Sequence, residues 1–173
     1  MPVRWVAILP LLLAACSLPA ETLEPSGVAQ RPDGPVLDEA AIFAPAAEAA
    51  LDRDLTDYRR TSGVALVVFT DASLGGESIE HVANETFNEW GIGDETTDCG
   101  LLVLVAPAEK MVRIEVGLGL EGDVSDVRAK RIIENTMLPL YRAGDIAGGT
   151  LAGVEELKRA APNPPQCREG APS

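Results

Sequence analysis

Six carboxylates crowd two short glycine-bearing stretches of the chain. Asp94, Glu95 and Asp98 fall in residues 91–99 (GIGDETTDC), and Glu121, Asp123 and Asp126 fall in residues 117–126 (GLGLEGDVSD), which follow the strand-like Arg113 to Val116. Carboxylates and turn carbonyls are hard oxygen ligands, the chemistry of Ca²⁺ or Mg²⁺ sites. With a metal and an arginine such as Arg113, Arg128 or Arg131, the same groups could build a phosphoryl-transfer site. Without a cation, packed carboxylates raise one another's pKa, so such a site is either metal-dependent or splayed into solvent. The alternative is purely structural: Asp123, Ser125 and Asp126 cap a helix start and Asp98 caps a turn. Neither stretch matches an EF-hand loop or a zinc spacing.

Other chemistries find little support. Gly117-x-Gly119-x-x-Gly122 satisfies the dinucleotide-binding glycine pattern. That site works by presenting bare N–H groups and a helix N-terminus to a pyrophosphate. Here Asp123 and Asp126 already place negative charge at that end, and no second βαβ strand follows, so no nucleotide is expected. The chain has no G-x-S-x-G and no H-E-x-x-H, and its one histidine, His81, lies off the apolar face of its helix. These features argue against a catalytic triad.

The elements that must position the acidic stretches are legible from periodicity. Ala47, Leu51, Leu55 and Tyr58 share one face of a helix over 45–61, with Pro45 in its first turn. Residues 64–69 (VALVVF) and 101–106 (LLVLVA) are apolar runs of the kind buried on both sheet faces. Between them, Ile79, Val82, Ala83, Thr86, Phe87 and Trp90 mark a helix over 78–90. Residues 111–116 return as a hairpin strand after the 107–110 turn. Ser125 caps a third helix carrying Ala129, Ile132, Ile133, Thr136, Met137 and Leu140. Pro139 is expected to interrupt it, and Gly144-Asp145 to start a fourth. Val36-Leu37-Asp38 reads as an extended entry segment.

This order predicts a three-layer α/β/α sandwich, with a small mixed sheet (a parallel pair plus an antiparallel hairpin) flanked by about four helices. A right-handed crossover through helix 78–90 makes the first two strands parallel. Loop 91–99 then lies at the edge where those strands begin, and the hairpin brings 117–126 back to it. Asp71 falls at the opposite edge and drops out of the candidate site. The proposed ligand set is Asp94, Asp98, Glu121, Asp123 and Asp126, with Asp98, Asp126 and Arg113 as catalytic candidates.

The N-terminus reads as an address. Arg4 precedes a short apolar run, Val6 to Ala15, too short to span as a mature helix. Leu13-Ala14-Ala15-Cys16 resembles a bacterial lipobox, which predicts a signal peptide over 1–15 and lipidation of Cys16, palmitate included. Ser17 after that cysteine favours the outer membrane by analogy with bacterial sorting. Residues 16–35 are read as lipidated cysteine and flexible tether, 36–161 as one domain, and the Pro-rich 162–173 as an irregular tail. Net charge is −13, and loss of Arg4 makes it one unit more negative. Such a chain repels nucleic acid and anionic lipid, and suits cations or basic partners. With Cys16 assigned to lipid, Cys99 and Cys167 are an even pair in an oxidising compartment, and a disulfide between them is expected. The alternative is one buried and one exposed thiol.

Several spaced motifs together resemble the TPM domain family. They are Val36-Leu37-Asp38, Trp90-Gly91-Ile92-Gly93, residues 98–106 (DCGLLVLVA), residues 112–122 (VRIEVGLGLEG), Ser125-Asp126 and residues 139–145 (PLYRAGD). The resemblance spans about 36–160. It implies an α/β/α fold found in bacterial envelope proteins, in thylakoid-lumen proteins linked to photosystem II repair and in a receptor-modulating animal protein. Weak acid-phosphatase activity and Ca²⁺ binding are both associated with that family. Asp98, Arg113, Glu121 and Asp126 match its characteristic polar positions. Cys99 departs from the usual Asn and Leu118 from the usual Tyr. The transmembrane helix and Gly-rich tail of many bacterial relatives are not seen, and the lipid is expected to take their place. The expectation is a lipid-anchored periplasmic accessory that binds envelope or membrane proteins, with a weak metal-dependent acid phosphatase as the alternative.

Overall fold

A computed structural model of the chain describes Met1 and residues 29–168. The expected signal peptide, Cys16 with most of the tether, and residues 169–173 of the tail lie outside the described residues.

Four strands form one sheet in the order β1-β2-β3-β4: Val36–Asp38, Ala65–Thr70, Gly100–Ala106 and Met111–Val116. β1, β2 and β3 run parallel, and β4 returns antiparallel beside β3. Every residue of β3 is buried, as its unbroken apolar run requires. Side-chain alternation sends Leu66, Val68, Leu101, Val103 and Val105 to one face, where they meet Leu55 and Tyr58 of α1 (Pro45–Ser62) and Val154 and Leu157 of α5 (Ile146–Ala160). It sends Ala65, Phe69, Leu102 and Leu104 to the other face, against Ile79, Val82 and Ala83 of α2 (Ile79–Glu89). The result is the expected α/β/α arrangement.

Four local expectations are corrected. The entry segment is a true strand, because Val36 pairs with Val68 and Asp38 with Thr70 in parallel register. The last residues of the tether, 29–35, lie on the domain: the Trp90 indole donates to Ala29 O at 2.8 Å and the Val68 amide to Pro35 O at 2.9 Å. Pro139 does not end the third helix. α3 (Asp126–Ile132) widens into a π-turn over Ile133–Met137 and runs on through α4 (Leu138–Arg142). Proline offers no amide to a regular α-turn and crowds the carbonyl four residues back, and the widened turn accommodates both defects. The tail is not wholly irregular, since α6 (Pro165–Arg168) forms where Cys167 is buried. As expected, Asp145 starts α5, taking the Gly148 amide at 2.8 Å. No helix among the described residues is long and apolar enough to cross a membrane.

Candidate functional site

The site grows from the end of the sheet where β2 and β3 begin. The parallel register carries the chain through α2 and back to this edge before β3, so residues 91–99 lie here. β4 then runs toward the same edge: Leu101 pairs with Val116, and the Gly117 amide donates to Gly100 O at 2.9 Å. The two acidic loops therefore meet, as the connectivity argument requires.

Asp98 is the junction between them. Its Oδ2 accepts the Leu118 amide at 3.0 Å, and its carbonyl accepts the Gly119 amide at 3.2 Å. Its own amide donates to Asp94 O at 2.7 Å, closing the turn. The backbone at Asp98 is left-handed, φ +49°, a conformation that aspartate tolerates better than most side chains. This tight meeting also gives the glycine pattern a structural reason. A Cβ on Gly119 would stand 1.9 Å from Thr97 O, and one on Gly117 would stand 2.3 Å from Asp98 O. The glycines let one backbone lie directly on another.

A covalent tie crosses the edge. Cys99 and Cys167 form the expected disulfide, with Cα atoms 5.6 Å apart and both residues buried. It draws α6 over the second loop, where the Gln166 amide nitrogen donates to Gly119 O and Asp123 Oδ2, each at 2.9 Å. The Arg128 guanidinium adds a bond to Asp123 O at 3.0 Å. Asp94 accepts both the amide (2.9 Å) and the hydroxyl of Thr96. Those two bonds, with a smaller contribution from the nearby Arg59 cation, hold its carboxyl below the ordinary range.

The remaining candidates are less engaged. Glu121 and Asp126 are exposed, and Asp126 occupies the first turn of α3 behind the Ser125 cap, where the helix dipole favours a negative charge. Arg113 is not brought to this edge. It sits opposite Leu104 in mid-β4 and pairs with Glu115 at 3.0 Å, about 13 Å from Gly117 at strand rise.

The five proposed ligands do not form a preformed cation cage. Ca²⁺ takes 6–8 oxygens at about 2.3–2.6 Å. Among the described residues, no three of these carboxylates bring ligand atoms within 4.8 Å of one another. Asp94, Asp98 and Asp123 already accept hydrogen bonds. The group that meets that spacing is Glu77, just before the Ser78 cap of α2, with His81 and Glu85 on that helix; His81 Nε2 lies 3.6 and 3.4 Å from the two carboxylates. Its i, i+4, i+8 spacing was readable in the sequence. Sequence reasoning also missed a cavity of about 310 Å³ at the same sheet edge, between residues 31–35, α1 and the Trp90–Gly93 turn. A smaller hollow of about 130 Å³ adjoins that turn on the side of Asp94, Glu95 and Asp98.

Residues 36–160 match the family model of the TPM domain, and the chain belongs to that family. Among solved structures it is similar to the N-terminal domain of a protein from P. gingivalis, at 33% identity and a TM-score of 0.68, covering 72% of this chain and 80% of that one. It is similar in fold to the BA42 protein of Bizionia argentinensis, at 18% identity and a TM-score of 0.60, covering 69% and 81%. The N-terminal domain of the cg2496 protein of Corynebacterium glutamicum gives 18% and 0.59, covering 78% and 86%. None of the curated proteins matches the chain.

Proposed function

We propose that this TPM-domain protein is anchored to the bacterial cell envelope by lipid on Cys16. In this reading it faces the periplasm, with the outer membrane favoured, and serves there as a binding or assembly accessory for an envelope or membrane protein. The docking surface is the edge built from loops 91–99 and 117–126. The observation that carries the reading is the buried Cys99–Cys167 disulfide. Such bonds persist in oxidising compartments, the periplasm among them. The same bond pre-forms the edge, which lowers the ordering cost that a partner must overcome. The charge of −13 favours a basic partner surface over nucleic acid. Ca²⁺ or Mg²⁺ belongs to this reading only as a weakly held ion with water completing its shell, because the carboxylates stand apart.

Fractionation and crosslinking of intact envelopes test the proposal. The wild-type chain is expected in the membrane fraction, without titratable thiols before reduction, and crosslinked to a partner through loop 117–126. Release of Cys16→Ser from the membrane supports the anchor. A chain that stays soluble with two free thiols in the wild type sinks the reading. Calorimetry with Ca²⁺ addresses the ion separately, and no heat at millimolar ion removes it.

A weak metal-dependent acid phosphatase is the second reading, favoured by the exposure of Glu121 and Asp126 near the tethered Asp98. Phosphate-ester turnover abolished by Asp126→Asn would promote it. Turnover untouched by Asp98→Asn and Asp126→Asn together would remove it.

A further inference from the structure

The cavity of about 310 Å³ carries charged groups of both signs in its lining. Its walls are partly apolar, with Leu55, Trp90 and Ile92 among them, and two arginines and two aspartates line it: Arg31, Arg59, Asp33 and Asp52. Among the described residues, none of these four makes an ion pair within 4.0 Å. Unlike charges that share a cavity without pairing leave both signs available to a ligand.

The two signs are sorted in space. A guanidinium nitrogen of Arg31 lies 3.9 Å from where a Cβ on Gly91 would stand. Arg59 lies close enough to Asp94, beyond Gly93, to act on its charge. The cations therefore sit at the Trp90–Gly93 end. Asp52 Oδ1 lies 2.2 Å from where a Cβ on Gly34 would stand, so its carboxylate rests on the bare backbone at the other end, next to Asp33. Asp52 and Arg59 share α1, seven residues apart, a separation of about 10.5 Å along the axis. Charges sorted to the two ends of a cavity suit an occupant whose own two charges are set apart. A single α-amino acid carries both charges on one carbon. Adding one residue sets them about 3.8 Å further apart.

The outer wall is also held in place. Residues 29–35 are pinned at one end by the bond from the Trp90 indole to Ala29 O and at the other by the bond from the Val68 amide to Pro35 O. The cavity is therefore a formed feature of the domain rather than a gap beneath a loose strap.

We propose that this cavity binds a zwitterionic dipeptide. Its terminal carboxylate meets Arg31 and Arg59, its ammonium meets Asp33 and Asp52, and its apolar side chain lies against Trp90, Ile92 and Leu55. This goes beyond the accessory reading and shares with it only the Gly91–Gly93 turn; its four charged residues, Arg31, Asp33, Asp52 and Arg59, lie outside both acidic loops, so loss of either reading leaves the other standing.

The test is an NMR titration of the full chain in detergent micelles, following the Gly91 and Gly93 amides and the Trp90 indole N–H. The probes are alanyl-leucine, its N-acetyl form, alanyl-leucinamide and inorganic phosphate. Alanyl-leucine is expected to give saturable shifts of these three signals at millimolar concentration or below. Removing the ammonium by acetylation, or the carboxylate in alanyl-leucinamide, is expected to weaken binding at least about tenfold, as are Asp52→Asn and Arg59→Gln, a loss of about 1.4 kcal/mol. Shifts elsewhere in the spectrum verify that each variant is folded. Three results overturn the proposal: no saturable shift with alanyl-leucine, N-acetyl dipeptide binding as tightly as the free one, or phosphate binding tighter than either. The last would make the cavity an oxyanion site.

Discussion

The two ends of the sheet are both rich in carboxylates, and they use them differently. At the end where β1 and β2 finish, Asp38 serves two loops at once. Its oxygens accept the Ile42 and Phe43 amides at 3.1 and 2.8 Å and the Thr70 hydroxyl. Glu109 there accepts the Leu74 amide at 3.0 Å. Asp71 lies between, its carboxyl pushed above the ordinary range by burial and by the Glu109 charge, against a lowering bond from the Ser73 amide. At the other end, Asp94 is held below that range by Thr96, Asp98 ties two backbones, and a disulfide fastens α6 across them. The difference lies in the covalent tie and in the adjoining cavity, which belong to one end only.

The largest separation between the two ends should follow removal of the disulfide. Cys99→Ala with Cys167→Ala is expected to cost about 2–4 kcal/mol, given the 68-residue separation it closes. In amide exchange, Leu118 and Gly119 should lose protection while Ile42 and Phe43 keep theirs relative to the global transition. Equal local losses at both ends would show that the tie acts on the whole domain and not on its own edge.

Single carboxylates come next. Asp38→Ala strands two backbone donors and a hydroxyl, and thermal unfolding should report a loss of about 2–3 kcal/mol. Asp98→Ala strands one donor and puts alanine in a left-handed backbone, for about 2 kcal/mol. Asp98→Asn keeps an acceptor oxygen and a side chain that tolerates positive φ, and should cost under about 1 kcal/mol. If asparagine proves as damaging as alanine, charge rather than geometry is what Asp98 supplies. The metal reading of that residue would then regain ground.

Much of this contrast was legible in the sequence because it follows from connectivity. Two apolar runs joined by an amphipathic helix fix a parallel pair, and a four-residue turn fixes the hairpin. Together they place Asp71 at one edge and Asp98 with Asp126 at the other. The cysteine pair was readable from its parity and the implied compartment. The convergence of loops did not carry over to convergence of carboxylates, because loop proximity acts over roughly a nanometre and ligation over a few ångströms. Arg113 shows the limit in another way: it matched a family position but lies in mid-strand, where its partner is Glu115. The cavity left no motif because its walls come from four separate segments. Arg31 and Asp33 were read as tether, and the Trp90–Ala29 and Val68–Pro35 bonds that bring that segment onto the domain carry no motif. The π-turn before Pro139 was hidden as well, since the apolar spacing across it differs from a regular helix by a single residue.

The smallest effects should have opposite signs at the two ends, and acid titration reads them. Asp71 has a folded pKa raised above its ordinary 3.8, so the fold prefers its protonated form. At neutral pH its charge subtracts stability, and that deficit is relieved as pH falls through the raised value toward 3.8. Asp94 has a folded pKa depressed below 3.8. Its contribution is fully present above that value and is lost only as pH falls through the depressed one. Asp71→Asn, which keeps an acceptor for the Ser73 amide, should therefore be neutral or stabilising by up to about 0.5 kcal/mol near neutral pH. Asp94→Asn should be destabilising there, because it gives up charge-assisted bonds to Thr96. Amide exchange at Ser73 and Thr96 across the acid range tests the pair directly. Ser73 should begin to lose protection at a higher pH than Thr96, because Asp71 is protonated first and its bond from the Ser73 amide then weakens. Simultaneous loss at both amides would mean that acid acts through global unfolding, and the electrostatic difference between the two ends would have no bearing on their local stability.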